Sequence, residues 1–232
     1  MVNQKVSVKY RSIKSKLILA NSLFITSLLV VIAIGTYIYF KSMAKKLVFE
    51  QQSSHLLSVA VSLDRSLTTA HAALIAGINA VPVNTFSNPE SAQQWLNTQT
   101  GIKSIFSSGL FIFLPDGKLL VESPQLPARR GKDFSFREYY KNTVTGGKPY
   151  ISDPYASSRH NHPSIMMTAP VFDENGRLIL ILGGAMDLLA ENTLLYNLSQ
   201  QKVGIKGYHY LFNQDRTMIM HPNLSRIMKQ DV

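Results

Sequence analysis

The residues with the clearest potential for chemistry lie between positions 132 and 187. Arg137 is followed two residues later by Tyr139, and Tyr140 and Tyr155 place further aromatic rings in the same stretch. A guanidinium group is a planar fork that matches a carboxylate, and aromatic rings shield such a pair from water. This combination predicts a pocket for a small carboxylate-bearing molecule.

These residues also have a purely structural interpretation. Arg137 could form an ion pair with Asp133, Glu138 or Asp153, all of which are close in sequence. The three tyrosines could pack in the core, because aromatic side chains bury large apolar areas. The residues alone leave both interpretations open.

Other reactive patterns are weak or absent. The chain has no cysteine, which excludes disulfide scaffolds, thiolate metal sites and thiol catalysis. His160 and His162 are two residues apart but have no nearby carboxylate motif, so the sequence favours a solvated loop over a metal site. No nucleophile, zinc-protease or phosphate-loop motif occurs. We therefore predict a non-enzymatic protein without a metal or cofactor.

The charge is concentrated near the N-terminus. The formal net charge of the chain is +10, and residues 1–46 carry eight Lys and Arg residues and no acidic one. The remaining residues carry 16 basic and 14 acidic side chains, which makes them nearly neutral. Nucleic-acid binding requires a basic stripe on the folded domain, and none is visible. Nucleic acid is therefore excluded as a partner.

An uncharged stretch predicts a membrane anchor in contact with lipid. Residues 17–40 contain no charged side chain, and as a helix they would be about 36 Å long, enough to cross a hydrocarbon core of about 30 Å. A cleaved signal peptide is the alternative, but the stretch is longer and ends in bulky Tyr37–Phe40. Five cations precede the stretch and three follow it, which favours a cytoplasmic tail at 1–16 and an exported remainder. The predicted location is the inner (plasma) membrane, crossed once.

A long helix is predicted over residues 41–84. Apolar residues from Leu56 to Val81 recur every three or four positions, close to a heptad pattern. We expect one face to pack on the chain's own domain and the other on a twin helix, which gives a homodimer. The alternative is that the helix packs only on its own domain.

Beyond residue 101 the pattern changes from helical to strand-like. Strand–turn–strand signatures occupy residues 110–122, 164–186 and 207–220, and a helix is predicted over 188–202. Residues 123–165 have no steady period and are interpreted as loops. The expected fold class is α+β: a PAS-like antiparallel sheet module flanked by helices, plus the start of a second, smaller module.

Two segments carry a resemblance to a known family. Phe134–Lys141 (FSFREYYK) and Gly146–Tyr155 (GGKPYISDPY) are similar to double Cache sensor domains of bacterial receptors. The resemblance implies an extracytoplasmic small-molecule sensor, with a membrane-distal module at 85–204 and an incomplete membrane-proximal module at 205–232. Such domains belong to sensor histidine kinases, chemoreceptors and diguanylate cyclases; a histidine kinase is the expected output, and the other two are alternatives.

The resemblance also assigns roles to individual residues. In amino-acid-binding members, an arginine and an aromatic residue two positions later hold the ligand carboxylate, and Arg137 and Tyr139 match them. A later tyrosine and an aspartate that ends a strand serve the ligand ammonium, and Tyr155 and Asp187 match those. Asp187 could equally cap a helix that begins at Leu188.

Two positions depart from the family pattern. Ser157 stands where the family has a further ammonium-binding aspartate, and Lys132 stands where it has a tyrosine. The loss of a carboxylate and the gain of a cation favour an anionic ligand, so a small carboxylate is expected alongside amino acids. A ligand-free scaffold that binds a protein partner is the remaining alternative.

Overall fold

The computed structural model describes residues 13–79, 81, 86, 88–191, 193–204 and 206–230. Most of the predicted cytoplasmic tail lies outside the described residues, as do most residues between the long helix and position 88. The chain divides into two compact units, residues 1–60 and residues 61–232.

The first unit consists of the beginning of helix α1, which as a whole runs over Ile13–Asn79. Its most apolar window has a mean hydropathy of 2.6 and no buried residue, so the helix is long and apolar enough to cross a membrane. The hydroxyls of Ser22, Thr26 and Ser27 donate hydrogen bonds to carbonyls three or four residues earlier in the helix. Each of these three hydroxyls therefore has a hydrogen-bond partner within the helix.

The second unit contains a sheet, short helices and two small strand pairs. Its helices are α2 (Pro89–Thr98), α3 (Thr100–Ile105), α4 (Glu138–Gly146) and α5 (Leu194–Gln200), with a 3-10 turn at Leu224–Arg226. Its strands are β1 (Gly109–Phe113), β2 (Leu119–Ser123), β3 (Tyr150–Ile151), β4 (Tyr155–Ala156), β5 (Pro163–Phe172), β6 (Leu178–Asp187), β7 (Lys202–Val203), β8 (Gly207–Tyr208), β9 (Leu211–Phe212) and β10 (Met218–Met220).

The main sheet is antiparallel, with the order β2-β1-β6-β5-β3 and β4 beside β5. β6 lies in the middle of this order, and most of its residues are buried, as expected for an apolar strand that is covered on both faces. The end of α1 belongs to this unit and buries Ala70, Leu74 and Gly77, and Gly77 lies against Ile102 and Leu182 of β6. The predicted α+β fold with helices on an antiparallel sheet is confirmed.

A glycine in β6 allows a close aromatic contact. A Cβ atom at Gly184 would lie 2.6 Å from the ring of Phe106, which is buried and only 1% exposed. We expect Gly184→Ala to lower the free energy of unfolding by about 1–3 kcal/mol, because overpacking a tight core forces neighbours out of position. Urea denaturation of the full chain in detergent measures this.

Gly101→Ala is the matched control for that substitution. Gly101 lies in α3 with no atom within 4 Å of the added Cβ, so alanine should be neutral or stabilising by up to about 1 kcal/mol. If Gly184→Ala unfolds at the same urea concentration as Gly101→Ala, the ring contact does not constrain this strand.

The helix predicted over 188–202 is shorter than expected. α5 begins only at Leu194, where the Thr193 hydroxyl accepts a hydrogen bond from the Tyr196 amide as an N-cap. Before it, the Asp187 carboxylate accepts a hydrogen bond from the Leu189 amide and holds a turn. The apolar periodicity of the sequence continues through this turn, so it predicted a helix that is longer than the observed α5.

The loops predicted over 123–165 contain a helix, which corrects that interpretation. α4 buries Tyr139, Tyr140 and Thr143 on one face and ends at Gly147, whose φ of 58° is left-handed. The buried residues of α4 are three and four positions apart, and the pair Gly146–Gly147 that follows them is a helix C-cap signal. Together these two features could have revealed the helix.

The C-terminal strands form two small pairs. β8 pairs with β7, and β9 pairs with β10, so the first strand of the signature predicted over 207–220 is interrupted at His209–Tyr210. The assignment of 205–232 to a separate membrane-proximal module remains a prediction.

Candidate ligand-binding site

A small cavity lies against one face of the main sheet. Its floor is formed by Phe111 and Phe113 of β1, Met166 of β5 and Ala185 of β6. Its other lining residues come from the segments that cross this face: Ser108, Arg129, Phe134, Arg137, Tyr139, Tyr155, Ser157, Ser158 and Arg159. The cavity volume is about 20 Å³, which is room for roughly one water molecule.

Aromatic rings form the apolar part of the cavity. Phe113 contacts Phe134, Tyr139 and Phe111 at centroid distances of 5.6, 6.2 and 6.0 Å. Tyr139 in turn lies 5.9 Å from Tyr155. The packing interpretation of these tyrosines is therefore correct in part, because Tyr139 is buried among other rings while it also lines the cavity.

Arg137 is the residue that precedes α4, and its side chain reaches the cavity. Its guanidinium carbon lies 5.0 Å from the ring centre of Phe136 and 5.7 Å from that of Tyr155, which is a cation–π arrangement on two rings. Its Nε atom is buried and has no hydrogen-bond partner. Within the described part of the chain, the side chain makes no ion pair with Asp133, Glu138 or Asp153.

The cavity contains two further arginines that the sequence analysis missed. Arg159 Nη2 donates a 2.6 Å hydrogen bond to Glu122 Oε2, and Arg129 Nε lies 3.2 Å from the same oxygen. Glu122 is only 2% exposed. The buried Glu122 carboxylate thus faces the guanidinium groups of Arg129 and Arg159. The guanidinium of Arg137 lines the same cavity, so positive charge is in excess there. Arg159 lies 37 positions after Glu122, so no local spacing pattern joins the two.

The two tyrosine hydroxyls at the cavity stay protonated. Burial raises the pKa of Tyr155 to about 12, although the charge of Arg137 opposes the shift. Burial also raises the pKa of Tyr139 strongly. Both phenols are therefore neutral at physiological pH, and each can donate a hydrogen bond to an anion.

Other predicted site residues lie around this cavity or away from it. Ser157 is buried in its lining, and its hydroxyl accepts a hydrogen bond from the Arg159 amide. Tyr140 is buried beside the aromatic cluster, but its hydroxyl donates to the Pro115 carbonyl at 2.7 Å and so anchors α4 to the β1–β2 turn. Lys132 is exposed on a loop and does not line the cavity.

Asp187 faces histidines. Its Oδ2 atom is 2.9 Å from His162 Nδ1 and 3.6 Å from His160 Nδ1, and it does not line the arginine cavity. The sequence analysis placed no carboxylate near these histidines, and the structure corrects this. Register explains the juxtaposition: Ser164 of β5 pairs with Asp187 of β6, which brings together residues 25 positions apart.

Sequence comparison decides the family. The Cache domain profile matches residues 40–232, which is most of the chain. The chain belongs to the Cache domain family. The resemblance carried by the FSFREYYK and GGKPYISDPY segments is thereby confirmed.

Curated relatives of this Cache domain protein are chemotaxis receptors. Methyl-accepting chemotaxis protein McpB of Bacillus subtilis (strain 168) is 27% identical over 225 residues, which is 93% of this chain and 32% of the relative. McpA of the same organism is 27% identical over 138 residues, 58% of this chain and 18% of the relative. The chain spans a third or less of the length of these relatives.

Solved structures share the Cache fold. The ligand-binding domain of Mlp24 with asparagine superposes with a TM-score of 0.65 at 16% identity, covering 80% of this chain and 75% of that one. The ligand-binding domain of the Pseudomonas aeruginosa PAO1 amino acid chemoreceptor PctB, in complex with L-Arg, has a TM-score of 0.51 at 22% identity, covering 71% and 66%.

Proposed function

We propose that the chain is the sensor part of a membrane-anchored chemotaxis receptor and that its arginine cavity binds a small carboxylate-bearing molecule. The observation that carries the proposal is the half-buried guanidinium of Arg137, which lines an aromatic cavity and has no ion-pair partner among the described residues. A ligand carboxylate supplies the missing partner through two parallel hydrogen bonds.

The local charge supports an anionic ligand. Arg129, Arg137 and Arg159 line the cavity, while Glu122 is the one carboxylate in direct contact with any of them in the described residues. Positive charge held in a site of low water content attracts an anion more strongly than the same charge does in water. The protonated hydroxyls of Tyr139 and Tyr155 add neutral donors around that anion.

The cavity also bears on the ligand class. The related Mlp24 domain was solved with asparagine, and the PctB domain in complex with L-Arg. In this chain, no described lining residue is acidic, Ser157 occupies the position of the family aspartate, and Asp187 contacts His162 instead. The ammonium group of an amino acid would therefore meet no carboxylate among the described lining residues. We expect carboxylates without an amine to bind at least as well as amino acids.

The relatives bear on the output and the location. Both Bacillus subtilis relatives are chemotaxis receptors, which favours the chemoreceptor alternative over a histidine kinase or a diguanylate cyclase. The exposed apolar part of α1 supports an anchor at residues 17–40. The same proposal puts the sensor outside the cytoplasm and has the segment 41–84 carry the signal in a homodimer. The module limits 85–204 and 205–232 belong to the same proposal.

Ligand entry requires movement. A cavity of about 20 Å³ is too small for a carboxylate molecule, so the segments that carry Arg129, Arg137 and Arg159 must shift outward when one binds. A ligand biases an equilibrium only by binding one conformation better than another, and such a shift provides the difference.

A stability screen tests the proposal. The full chain in detergent is unfolded by heat in the presence of the L-amino acids, the matching hydroxy acids, dicarboxylates, and ethanolamine as an amine without a carboxylate. At 100 times its dissociation constant, a ligand stabilises the folded protein by about 2.7 kcal/mol. We expect carboxylates to stabilise the chain and ethanolamine not to do so. Equal stability with every compound would favour the ligand-free scaffold.

A further inference from the structure

A second, larger cavity lies next to the histidines. Its volume is about 350 Å³, and it opens between the start of β5, helix α5 and the segment Met220–Ile227. His160 and His162 both line it, while Asp187 supports them from the end of β6. The arginine cavity has a different lining, so the two are separate sites.

Three potential metal ligands meet at the edge of this cavity. His160, His162 and Asp187 each offer one ligand atom, and these atoms all lie within 4.8 Å of one another. The two Nδ1 atoms are 3.6 and 2.9 Å from the same Asp187 Oδ2 atom. Ligand atoms around a tetrahedral zinc ion are separated by about 3.4 Å, given metal–ligand distances of about 2.0–2.1 Å.

The surroundings orient the three groups. His160 Nε2 is 2.9 Å from the Ser108 hydroxyl, and its Nδ1 accepts a 3.2 Å hydrogen bond from the His162 amide. This pattern places the imidazole proton on Nε2, with the lone pair of Nδ1 on the side of Asp187. Asp187 Oδ1 accepts a hydrogen bond from the Leu189 amide, which leaves Oδ2 for the histidines. Metal-binding histidines are held in the same way by an outer hydrogen bond.

We infer that His160, His162 and Asp187 form a binding site for a divalent transition-metal ion of the zinc type. The ion takes His160 Nδ1, His162 Nδ1 and Asp187 Oδ2 as ligands. It replaces both the His162–Asp187 hydrogen bond and the hydrogen bond from the His162 amide to His160 Nδ1, with the His162 ring proton carried on Nε2. His162 is half-exposed, so its ring is free to adjust. The remaining coordination positions face the 350 Å³ cavity, where water or a second ligand completes the shell.

The donor set indicates which metals bind. Two imidazoles and one carboxylate suit zinc, copper or nickel, whereas magnesium and calcium prefer sites made only of oxygen. The inference does not depend on the carboxylate proposal, because none of these three side chains lines the arginine cavity.

Calorimetry with zinc chloride tests the site. The full chain is produced without a polyhistidine tag, treated with a chelator, and titrated in detergent with zinc, magnesium and calcium separately. We expect one zinc ion per chain and no saturable heat from magnesium or calcium. His162→Ala and Asp187→Asn should each weaken zinc binding by at least about 100-fold, since changes outside the direct ligands already cost about 10- to 100-fold.

The variants include their own folding controls. Asparagine at 187 keeps an oxygen for the Leu189 amide, so it preserves the turn while it removes the charged ligand. His55→Ala changes an exposed histidine in α1, outside the cluster, and should bind zinc as the parent does. Bound cobalt should give a visible absorption spectrum that Asp187→Asn alters.

Two results would overturn the site. The first is a parent chain that binds no zinc. The second is zinc binding that survives both cluster substitutions. In either case the His162–Asp187 contact is a hydrogen bond that holds the turn after β6 and nothing more.

Discussion

Replacing Glu122 with glutamine is expected to lower the free energy of unfolding by about 3–5 kcal/mol. Glu122 is almost fully buried and is the partner of both Arg129 and Arg159, whose side chains are only 13% and 10% exposed. Removing one member of a buried ion pair leaves uncompensated buried charge, which carries a penalty of this size. In this case two buried guanidinium groups, those of Arg129 and Arg159, would lose their negatively charged partner.

Urea denaturation followed by the fluorescence of Trp95 measures the loss. The reporter is well placed, because helix α2 carries Trp95 and is joined to Glu122 by a 2.9 Å hydrogen bond from Gln93 to the Glu122 carbonyl. Glu90→Gln is the matched control: it breaks an exposed ion pair with Arg130 and should change stability by at most about 1 kcal/mol. Equal losses in the two variants would contradict the view that Glu122 neutralises buried arginines.

Arg137→Ala is expected to weaken the binding of a carboxylate ligand by about 100-fold, equivalent to about 3 kcal/mol. The guanidinium is the one cavity cation without an acidic partner among the described residues, so the ligand loses its principal charge-assisted contact. Titration calorimetry with the carboxylate that stabilises the chain most in the thermal screen gives the dissociation constants.

Two further substitutions sharpen that experiment. Arg137→Lys keeps the charge but loses the planar fork, so its affinity should lie between those of the parent and the alanine variant. Arg130→Ala removes a half-exposed arginine that pairs with Glu90 outside the cavity and should leave the affinity unchanged. An unchanged dissociation constant in Arg137→Ala would place the ligand elsewhere.

Local patterns predicted most of the fold. Alternating and continuous apolar runs located the β1–β2 and β5–β6 hairpins. The apolar periodicity gave a wrong start for the helix predicted over 188–202, which begins only at Leu194. Residues 188–190 are apolar, as in the predicted helix, but they form a turn, because the Asp187 carboxylate accepts a hydrogen bond from the Leu189 amide.

The candidate site was predictable where its residues lie in or next to the FSFREYYK and GGKPYISDPY segments. Arg137 and Tyr139 share one segment, and the structure places both in the cavity. Glu122 and Arg129 lie at the end of β2 and in the loop that follows it, and they meet Arg159 from a distant loop, a contact that no spacing rule encodes. The same reason hid the approach of Asp187 to His160, which depends on the pairing of β5 with β6.

The long β5–β6 hairpin makes the chain suitable for conversion into an optical biosensor. Each strand has ten residues, so at about 3.3 Å per residue the connecting turn lies roughly 30 Å from Asp187. Glu174, Asn175 and Gly176 are exposed at that turn. A circularly permuted fluorescent protein inserted after Asn175 would be remote from both cavities yet joined directly to the strand that ends at the histidine cluster.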